Sequence, residues 1–456
     1  MNHFDIVIKG GTVVNADESV EQDVGIQGSI IAQVGGAMTG DITINAKGKL
    51  VLPGGIDPHV HLSSPRNPEN MSAQWTDDFF IGSLAAISGG VTTVGNMTFQ
   101  WPDQSLDQAI VRDATAARDV AAVDYILHPV LTNPTEIDLA KIAEFKTQGI
   151  KSMKIFLVAD SFELHKDKFI KALRLAAEYN LIVLLHCEDP VILKSALSKL
   201  EQDNQLALAY WSESRPVAGE KKAVEDAVAL AKLTKACIYI VHLSSGPALD
   251  AASKGKEDGI PLYVETRPMY LHLTKEKLKL DDGAKYISAP PLRDSEDAAA
   301  LWEGLRNGAI DVVGSDHAPF TLEDKLDSSV DVRAARQGVS DLETSLPMLF
   351  SRGVVEGRLS INRFVALTSS IPAQIFGIAH KKGGIHQGKD ADIVIWDPKA
   401  KKVIQAKNMF SKSGYSVYEN TEITGLPETS ILRGAIVMRD FEVTAITGAG
   451  KWVKAL

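Results

Sequence analysis

The segment Leu181–His186 has the sequence LIVLLH, which is apolar throughout until its final histidine. A short run of large and β-branched apolar residues predicts a strand buried on both faces, as is typical of a parallel sheet. The stretch Lys168–Glu178 before it has helical periodicity, and the next helical stretch along the chain is Gly219–Thr234. A buried strand between two helices is one unit of an alternating α/β architecture.

The same unit recurs through the middle of the chain. The other predicted strands are Val91–Val94, Asp124–Leu127, Ser152–Phe156, Ile238–His242, Pro261–Glu265 and Ile310–Ser315, and the other predicted helices are Gln104–Val120, Pro247–Lys254 and Ala298–Asn307. Seven or eight such units suit a (β/α)₈ barrel. A doubly wound open sheet is the alternative, although no glycine-rich dinucleotide-binding fingerprint follows an early strand.

Both ends of the chain instead contain short apolar strands separated by glycine turns. These predicted strands are Phe4–Ile8, Thr12–Asn15, Gln22–Ile26 and Ile30–Val34 at one end, and Ala391–Trp396, Lys402–Ile404, Glu428–Arg433 and Ala435–Arg439 at the other. Chain termini often lie close together, so the two ends could share one domain. We therefore predict an α/β fold in which residues 1–52 and 378–456 form a small composite β-sandwich and residues 53–377 form the barrel.

Composition excludes several classes of protein. Of the 456 residues, 45% are hydrophobic and 23% are charged, which is typical of globular chains rather than disordered ones. The net charge of −10 argues against nucleic acid or an anionic membrane as the main partner. No apolar run approaches the roughly 18 residues of a membrane span. With two cysteines and no signal-peptide pattern, the sequence predicts a cytoplasmic protein without a disulfide framework.

Metal-binding side chains lie where predicted strands end. His59 and His61 close an apolar run and project to the same side, because side chains in a strand repeat every two residues. His186 and His242 end two more strands, and Asp316 follows a third. In a barrel the carboxyl ends of the strands converge on one mouth. Nitrogen and oxygen ligands without a thiolate suit Zn²⁺, with Mn²⁺, Co²⁺ and Fe²⁺ as alternatives.

Lys154 is unusual because it lies inside the predicted strand Ser152–Phe156. A lysine at such a position commonly extends to solvent or pairs with a carboxylate. Its ammonium form would be repelled by nearby divalent cations. A neutral, desolvated lysine could instead react with CO₂ and form an anionic carbamate that bridges two metal ions.

Taken together, these positions match a known pattern in order and context. The supporting motifs are Leu52–Asp57, His59–His61, Gly90–Thr93, Val241–Ser245, Ala289–Arg293, Gly314–Pro319 and Gly388–Val394. On these residues the chain resembles the cyclic amidohydrolases of the amidohydrolase superfamily. That family includes hydantoinase, dihydropyrimidinase, allantoinase and dihydroorotase.

The resemblance implies hydrolysis of the C–N bond in a cyclic amide by a hydroxide that bridges two divalent ions. The implied ligands are His59, His61 and Asp316 for the more buried ion, His186 and His242 for the second, and Lys154 as N6-carboxylysine between them. Asp316 would also act as general base and then general acid. A homo-oligomer, either tetramer or dimer, is implied as well. Metal-free scaffold relatives of dihydropyrimidinase are the alternative of another class, but they lose ligands, and all six positions are filled here.

The substrate pocket departs from the family pattern. Dihydroorotases usually place an arginine directly after the His-x-His-Leu stretch, whereas here Ser63 follows and the first arginine is Arg66. The tyrosine found in many D-hydantoinases and dihydropyrimidinases is replaced by Ala159. Leu342–Met348 looks closer to L-selective hydantoinases or allantoinases. Allantoinase and dihydroorotase therefore stay open as alternatives.

Three residues are predicted to bind the substrate. The serine that precedes the Pro-Pro pair in D-hydantoinases corresponds to Ala289, with Ser288 one place earlier, and the asparagine of their Asn-Gly segment corresponds to Gln337. Hydantoins and dihydropyrimidines carry no carboxylate and need only hydrogen bonds to the ring. A neutral cyclic ureide or imide is therefore the predicted substrate.

Overall fold

The computed structural model describes residues 2–63, 74–102 and 104–456. The strands of the N-terminal segment are β1 (Asn2–Lys9), β2 (Thr12–Val14), β3 (Ser19–Glu21), β4 (Val24–Gln27), β5 (Ile30–Val34), β6 (Met38–Asn45) and β7 (Leu50–Pro53). They are short because glycine and asparagine turns interrupt the chain between them.

Eight strands follow through the middle of the chain, and each pairs in parallel with the next. They are β8 (Gly55–Val60), β9 (Val91–Phe99), β10 (Asp124–Val130), β11 (Ser152–Phe156), β12 (Ile182–His186), β13 (Cys237–Ile240), β14 (Leu262–Thr266) and β15 (Val312–Val313). A parallel bridge between Val60 and His317, with a 2.8 Å hydrogen bond from His61 N to His317 O, joins the first strand to the last. The (β/α)₈ barrel is confirmed, and the doubly wound alternative is wrong.

Helices alternate with the barrel strands. Their bounds are α1 (Phe79–Ser88), α2 (Leu106–Val120), α3 (Glu136–Lys141), α4 (Phe145–Gln148), α5 (Asp160–Leu164), α6 (Lys166–Glu178), α7 (Pro190–Gln202), α8 (Trp211–Ser214), α9 (Val217–Thr234), α10 (Gly246–Glu257), α11 (Pro268–His272), α12 (Ser295–Asn307), α13 (Leu322–Lys325), α14 (Leu342–Leu349), α15 (Ile361–Val365) and α16 (Ile371–Ile375). Short polar residues set several starts: Asp189 caps α7 through Ile192 N, and Pro190 opens that helix. Within the described part of the chain, no helix combines the length and apolarity that crossing a membrane requires.

The C-terminal strands are β16 (Ile393–Val403), β17 (Glu422–Leu432), β18 (Ala435–Arg439) and β19 (Glu442–Val443). They join β7, β2 and β3 in a seven-stranded sheet, in which β16 pairs antiparallel with β7. The other N-terminal strands form a four-stranded sheet in the order β5-β4-β1-β6. Apolar residues of both sheets pack together in one core, including Ile8, Ile26, Val51, Ile395 and Ile431. Both termini therefore build the two sheets, while the division at residues 52/53 and 377/378 stays a prediction.

Four strand predictions were wrong in detail. The two segments predicted at 391–396 and 402–404 belong to one strand, β16, because a bulge between Asp397 and Lys401 keeps its pairing with β17. The strands predicted to run to His242 and Ser315 end earlier, at Ile240 and Val313. His242 and Asp316 have left-handed backbones, with φ of 38° and 49°, and such residues leave a strand ladder.

Candidate metal centre

The first half of the predicted metal centre lies where β8 meets the segment after β15. Nε2 of His61 and Nε2 of His59 lie 2.9 and 3.2 Å from Oδ1 of Asp316. All three residues are buried, and one ligand atom from each falls within 4.8 Å of the others. Two imidazole nitrogens and one carboxylate oxygen thus converge on a single point, which is the ligand geometry of a divalent metal site.

Glu265, at the carboxyl side of β14, fixes the orientation of His59. Its Oε1 lies 2.8 Å from His59 Nδ1 and accepts from His242 N at 2.9 Å, while its Oε2 accepts from the Tyr239 hydroxyl at 2.8 Å. A neutral His59 that donates Nδ1–H to Glu265 would turn the lone pair of its Nε2 toward the Asp316 carboxylate. A metal ion between that nitrogen and the carboxylate would bind both of them.

The second half of the centre is a pair of histidines from β12 and the end of β13. His186 Nδ1 lies 3.1 Å from His242 Nε2, and His186 Nε2 lies 2.7 Å from Oε2 of Glu188. Burial alone would raise the pKa of Glu188, but Arg215 and His186 outweigh it and lower that pKa to about 2. Burial also lowers the pKa of both histidines. Burial favours the neutral His186 ring, although Glu188 opposes the shift, and a neutral ring that donates Nε2–H to Glu188 turns its Nδ1 lone pair to His242.

Lys154 lies on β11 and is fully buried. Among the described residues its Nζ has no hydrogen-bond partner and no ion pair, and it lies 5.0 Å from the ring centroid of Phe156. Burial lowers the pKa of Lys154 to about 8, although Asp316 and Glu265 oppose the shift. At pH 7, roughly one molecule in ten thus carries Lys154 as the neutral amine. Lys154 therefore neither extends to solvent nor forms an ion pair with a carboxylate of the described residues.

The six predicted ligands lie together. The His59 ring centroid is 5.4 Å from those of both His61 and His242, and the His242 centroid is 4.7 Å from that of His186. Lys154 lies opposite Leu184 in the neighbouring strand, two residues before His186, and its charge adds to burial in lowering the pKa of His61, His186 and His242. Four buried nitrogens lack a hydrogen-bond partner in the described ranges: His59 Nε2, His61 Nδ1, His242 Nδ1 and Lys154 Nζ. Unpartnered buried polar atoms are costly, and a bound cation could satisfy His59 Nε2, which faces Asp316.

Asp316 is held from its other side by Arg267. Its Oδ2 accepts from Arg267 Nη1 at 3.0 Å, and Arg267 Nε donates to Ser315 O at 2.9 Å. Burial would raise the pKa of Asp316, but His59 and Arg267 together hold that pKa well below its usual range. Asp316 is therefore an anion that can ligate a metal and accept a proton.

The predicted substrate residues lie on two neighbouring segments. Ser288 is buried; its carbonyl oxygen accepts from Trp211 Nε1 at 2.7 Å, and its hydroxyl donates to Pro290 O at 3.0 Å. Ala289 is half-buried, whereas Gln337 is exposed. The Gln337 side chain thus points to solvent, and any contact from this position with a substrate would come from the backbone.

Lys325 ties these two segments together. Its buried Nζ donates to Ile287 O at 2.7 Å, to Arg336 O at 2.7 Å and to Gly338 O at 2.9 Å. Gly338 N also donates to Ile287 O at 3.2 Å. Segments that are far apart in the sequence are therefore locked side by side, next to Ser288 and Gln337.

The remaining pocket positions are less informative. Ser63 is half-buried, and its hydroxyl donates to Asp113 at 2.8 Å. Ala159 is half-buried directly before α5. Arg66 lies outside the described residues.

Sequence reasoning missed four residues that support this site. Glu265 ends a predicted strand, as the ligands do, and Glu188 follows His186 by two residues, so each offered a signal. Arg267 and Lys325 offered none, because their partners come from distant segments of the chain.

Comparison with known proteins agrees with this geometry. The family model described as "Amidohydrolase family" matches residues 50–436. A D-hydantoinase from Rhizobium radiobacter is 36% identical over 440 residues, covering 95% of each chain. The crystal structure of a dihydropyrimidinase from Brevibacillus agri superposes with a TM-score of 0.92 at 32% identity over 98% of each chain. An L-hydantoinase (dihydropyrimidinase) structure from Arthrobacter aurescens gives a TM-score of 0.91 at 28% identity, over 99% of this chain and all of that one. The chain therefore belongs to the amidohydrolase family and, within it, to the hydantoinase and dihydropyrimidinase group of cyclic amidohydrolases.

Proposed function

We propose that this enzyme hydrolyses a neutral cyclic ureide, of hydantoin or dihydropyrimidine type, with two divalent ions held by the six side chains at the barrel mouth. The observation that carries the proposal is the convergence of His59 Nε2, His61 Nε2 and the anionic Asp316 on one point at the barrel mouth. The names of the similar proteins, D-hydantoinase and dihydropyrimidinase, support the same substrate class.

The residues present fit such a centre. His59, His61 and Asp316 would hold one ion, His186 and His242 the other, and a carbamate on Lys154 would join them. Imidazole and carboxylate ligands favour Zn²⁺. Two divalent ions, when bound, lower the pKa of water and polarise an amide carbonyl.

The protein's own part in the chemistry is proton transfer. Asp316 is anionic, and its Oδ1 lies at the point where the His59 and His61 nitrogens converge. There it accepts the proton of the attacking water and delivers it to the ring nitrogen that leaves. Cys187 is buried, which raises the pKa of its thiol, so it supplies no thiolate nucleophile.

The pocket favours an uncharged substrate. A desolvated carboxylate needs a cationic partner, since burying an unpaired charge is costly. Ser63 stands where dihydroorotases usually place an arginine, and its hydroxyl is directed to Asp113. The segments at Ser288 and Gln337 would instead offer backbone groups to the ring imide. Ala159 leaves space for a substituent at ring position 5.

The test is a hydrolysis screen over 5-substituted hydantoins, dihydrouracil, allantoin and dihydroorotate, using one metal-loaded preparation whose metal content is measured in parallel. We expect a neutral 5-substituted hydantoin to have a higher kcat/KM than dihydroorotate. A preference for dihydroorotate would contradict the pocket argument. Protein that binds no metal and hydrolyses none of these compounds would favour the scaffold alternative.

We also propose a homo-oligomer, tetramer or dimer, and a cytoplasmic location. The oligomer is proposed from the family resemblance alone. Both cysteines are free, which suits a reducing compartment. Light scattering coupled to size-exclusion chromatography would measure the oligomeric state directly, and a monomer at micromolar concentration would contradict the proposal.

A further inference from the structure

The backbone at Asp316 adopts an unfavourable conformation. Its φ of 49° lies in the left-handed region, which residues other than glycine seldom adopt. Such a conformation persists only where the surroundings hold it. One holding contact is Ser315 N, which lies 3.1 Å from both carboxylate oxygens of Asp57.

Arg267 holds the same turn from the other direction, through two atoms of one rigid plane. Nε donates to the carbonyl oxygen of Ser315, and Nη1 donates to Oδ2 of the next residue, Asp316. The guanidinium therefore fixes the carboxylate relative to its own backbone. With Oδ2 engaged in this way, Oδ1 is directed to the His59 and His61 nitrogens.

The guanidinium is also anchored independently of Asp316. Arg267 is fully buried, and its Cζ lies 5.5 Å from the ring centroid of Tyr270. The Tyr270 hydroxyl donates to Pro290 O at 2.7 Å, beside Ala289. Asp341, also fully buried, supplies a second negative charge that acts on the guanidinium. Burial, the Tyr270 ring and the charge of Asp341 thus restrict the guanidinium, while its Nε and Nη1 hydrogen bonds both go to the Ser315–Asp316 turn and its Nη2 has no hydrogen-bond partner among the described residues.

We propose that Arg267 is the positioning residue of Asp316: its two-pronged contact with Ser315 O and Asp316 Oδ2 sets the orientation in which Oδ1 ligates metal and transfers the proton. The inference rests on the proposed function for its kinetic consequence only. Its effect on metal geometry holds whatever the substrate is.

The test compares Arg267→Met and Arg267→Lys with wild-type protein loaded with Co²⁺, whose visible spectrum reports ligand geometry. We expect a changed spectrum in both variants and a metal affinity about 10–100-fold weaker in Arg267→Met. With the best substrate of the screen, kcat of Arg267→Met should fall about 10²-fold, because a carboxylate displaced by about 1 Å transfers protons poorly. The KM of the same variant should change less than threefold. Arg267→Lys keeps the charge but loses the fork, so its values should be intermediate.

Arg363→Met is the matched control. Arg363 also uses a guanidinium fork, from Nε to Leu305 O and from Nη2 to Ile310 O, each at 2.7 Å, but it contacts none of the six ligands. The Arg363→Met variant should have a lower Tm than wild type, with the same Co²⁺ spectrum and the same kcat. If Arg267→Met fails to fold, the spectrum of Arg267→Lys decides.

Three results would overturn the proposal: an unchanged spectrum with kcat within threefold of wild type, a rise in KM alone, or the same changes in Arg363→Met. A wild-type protein that binds Co²⁺ but hydrolyses none of the ureides would refute the proposed function. The spectral comparison would still decide the role of Arg267.

Discussion

The barrel carries two buried charged clusters, one at each end, and they differ in how completely their atoms are paired. The mouth cluster consists of His59, His61, Lys154, His186, His242 and Asp316. The basal cluster consists of Asp124, Lys382, Asp390, Asp392 and Arg433. In the basal cluster, Lys382 Nζ lies 2.5 Å from both Asp124 and Asp392 and 3.0 Å from Asp390, and Arg433 pairs with Asp124.

Pairing separates a structural cluster from a functional one. Within the described residues, no buried side-chain atom of the basal cluster lacks a hydrogen-bond partner, whereas four nitrogens of the mouth cluster do. Asp124 begins β10, while Asp392 precedes β16 and Arg433 follows β17. The basal cluster thus joins the barrel to the terminal sheets and is complete without a ligand. The mouth cluster has unpaired atoms, and its His59, His61 and Asp316 could hold a metal ion.

The largest effect should follow from removing Lys154. We expect Lys154→Ala to lose metal and activity together, because no carbamate can form, and to regain part of the activity with short carboxylic acids that replace the bridge. The metal-free variant should be no less stable than metal-free wild type, since a buried amine without a partner is removed. Elemental analysis measures the metal content, a hydrolysis assay measures the activity, and thermal unfolding measures the stability of the metal-free proteins.

Lys151→Ala is the control for that experiment. Lys151 precedes β11, at the opposite end from the mouth, and its Nζ donates to Asn180 O. This variant should keep its metal and its activity. Full activity in Lys154→Ala would rule out a bridging carbamate.

Asp316→Asn should have the next largest effect. The amide keeps an oxygen that can contact a metal but cannot accept the proton, and a general base typically contributes about 10²–10⁴-fold to the rate. We expect kcat to fall by at least about 10²-fold. Elemental analysis of the same sample should show that most of the metal is retained. A change of only a few-fold would show that another group carries the proton.

The sequence predicted that the histidines and Asp316 of the mouth cluster would gather at one end of the barrel, because their positions follow from local rules, while their role as metal ligands stays a prediction. Strand periodicity places His59 and His61 on one side, and parallel strands bring His186 and the others to one end. Whether a buried charge is paired does not follow from such rules. Nothing in the sequence marks Lys382 as buried and paired, since it lies outside the predicted strands and its partner Asp124 is far away along the chain.

The backbone at the site shows a second limit of sequence reasoning. His242 and Asp316 were predicted to follow regular strands, but both adopt left-handed conformations. Contacts from other strands hold them: Glu265 accepts from His242 N, and Arg267 donates to Asp316. Strain of this kind depends on tertiary contacts that no local pattern encodes.

Breaking the basal cluster should change stability and leave the chemistry intact. Lys382→Met keeps the side chain's approximate volume but leaves two buried carboxylates short of a partner, which typically costs about 3–5 kcal/mol. We expect a lower free energy of unfolding in urea, with kcat per folded molecule unchanged. Lys399→Met, at an exposed position of β16, should shift stability by less than about 0.5 kcal/mol. A loss of kcat in Lys382→Met would show that the two clusters are coupled.

The smallest predicted effect concerns His128, which lies on β10 between the two clusters. Burial, aided by His59 and Lys154, lowers the pKa of His128 to about 3. In the unfolded chain the pKa of a histidine is about 6.5. Between these two values the folded protein keeps the ring neutral, whereas the unfolded chain protonates it. The unfolded state therefore binds more protons below pH 6.5, and stability falls as pH falls. Between pH 7 and pH 5 one such ring accounts for about 2 kcal/mol. In metal-free protein, His128→Gln should reduce the loss of unfolding free energy over that range by about this amount, whereas His3→Gln, at an exposed position, should leave it unchanged. An identical pH dependence in wild type and His128→Gln would mean that this ring takes up a proton over the same pH range in the folded protein as in the unfolded chain, and that the barrel interior beneath the mouth cluster tolerates a charge without a partner.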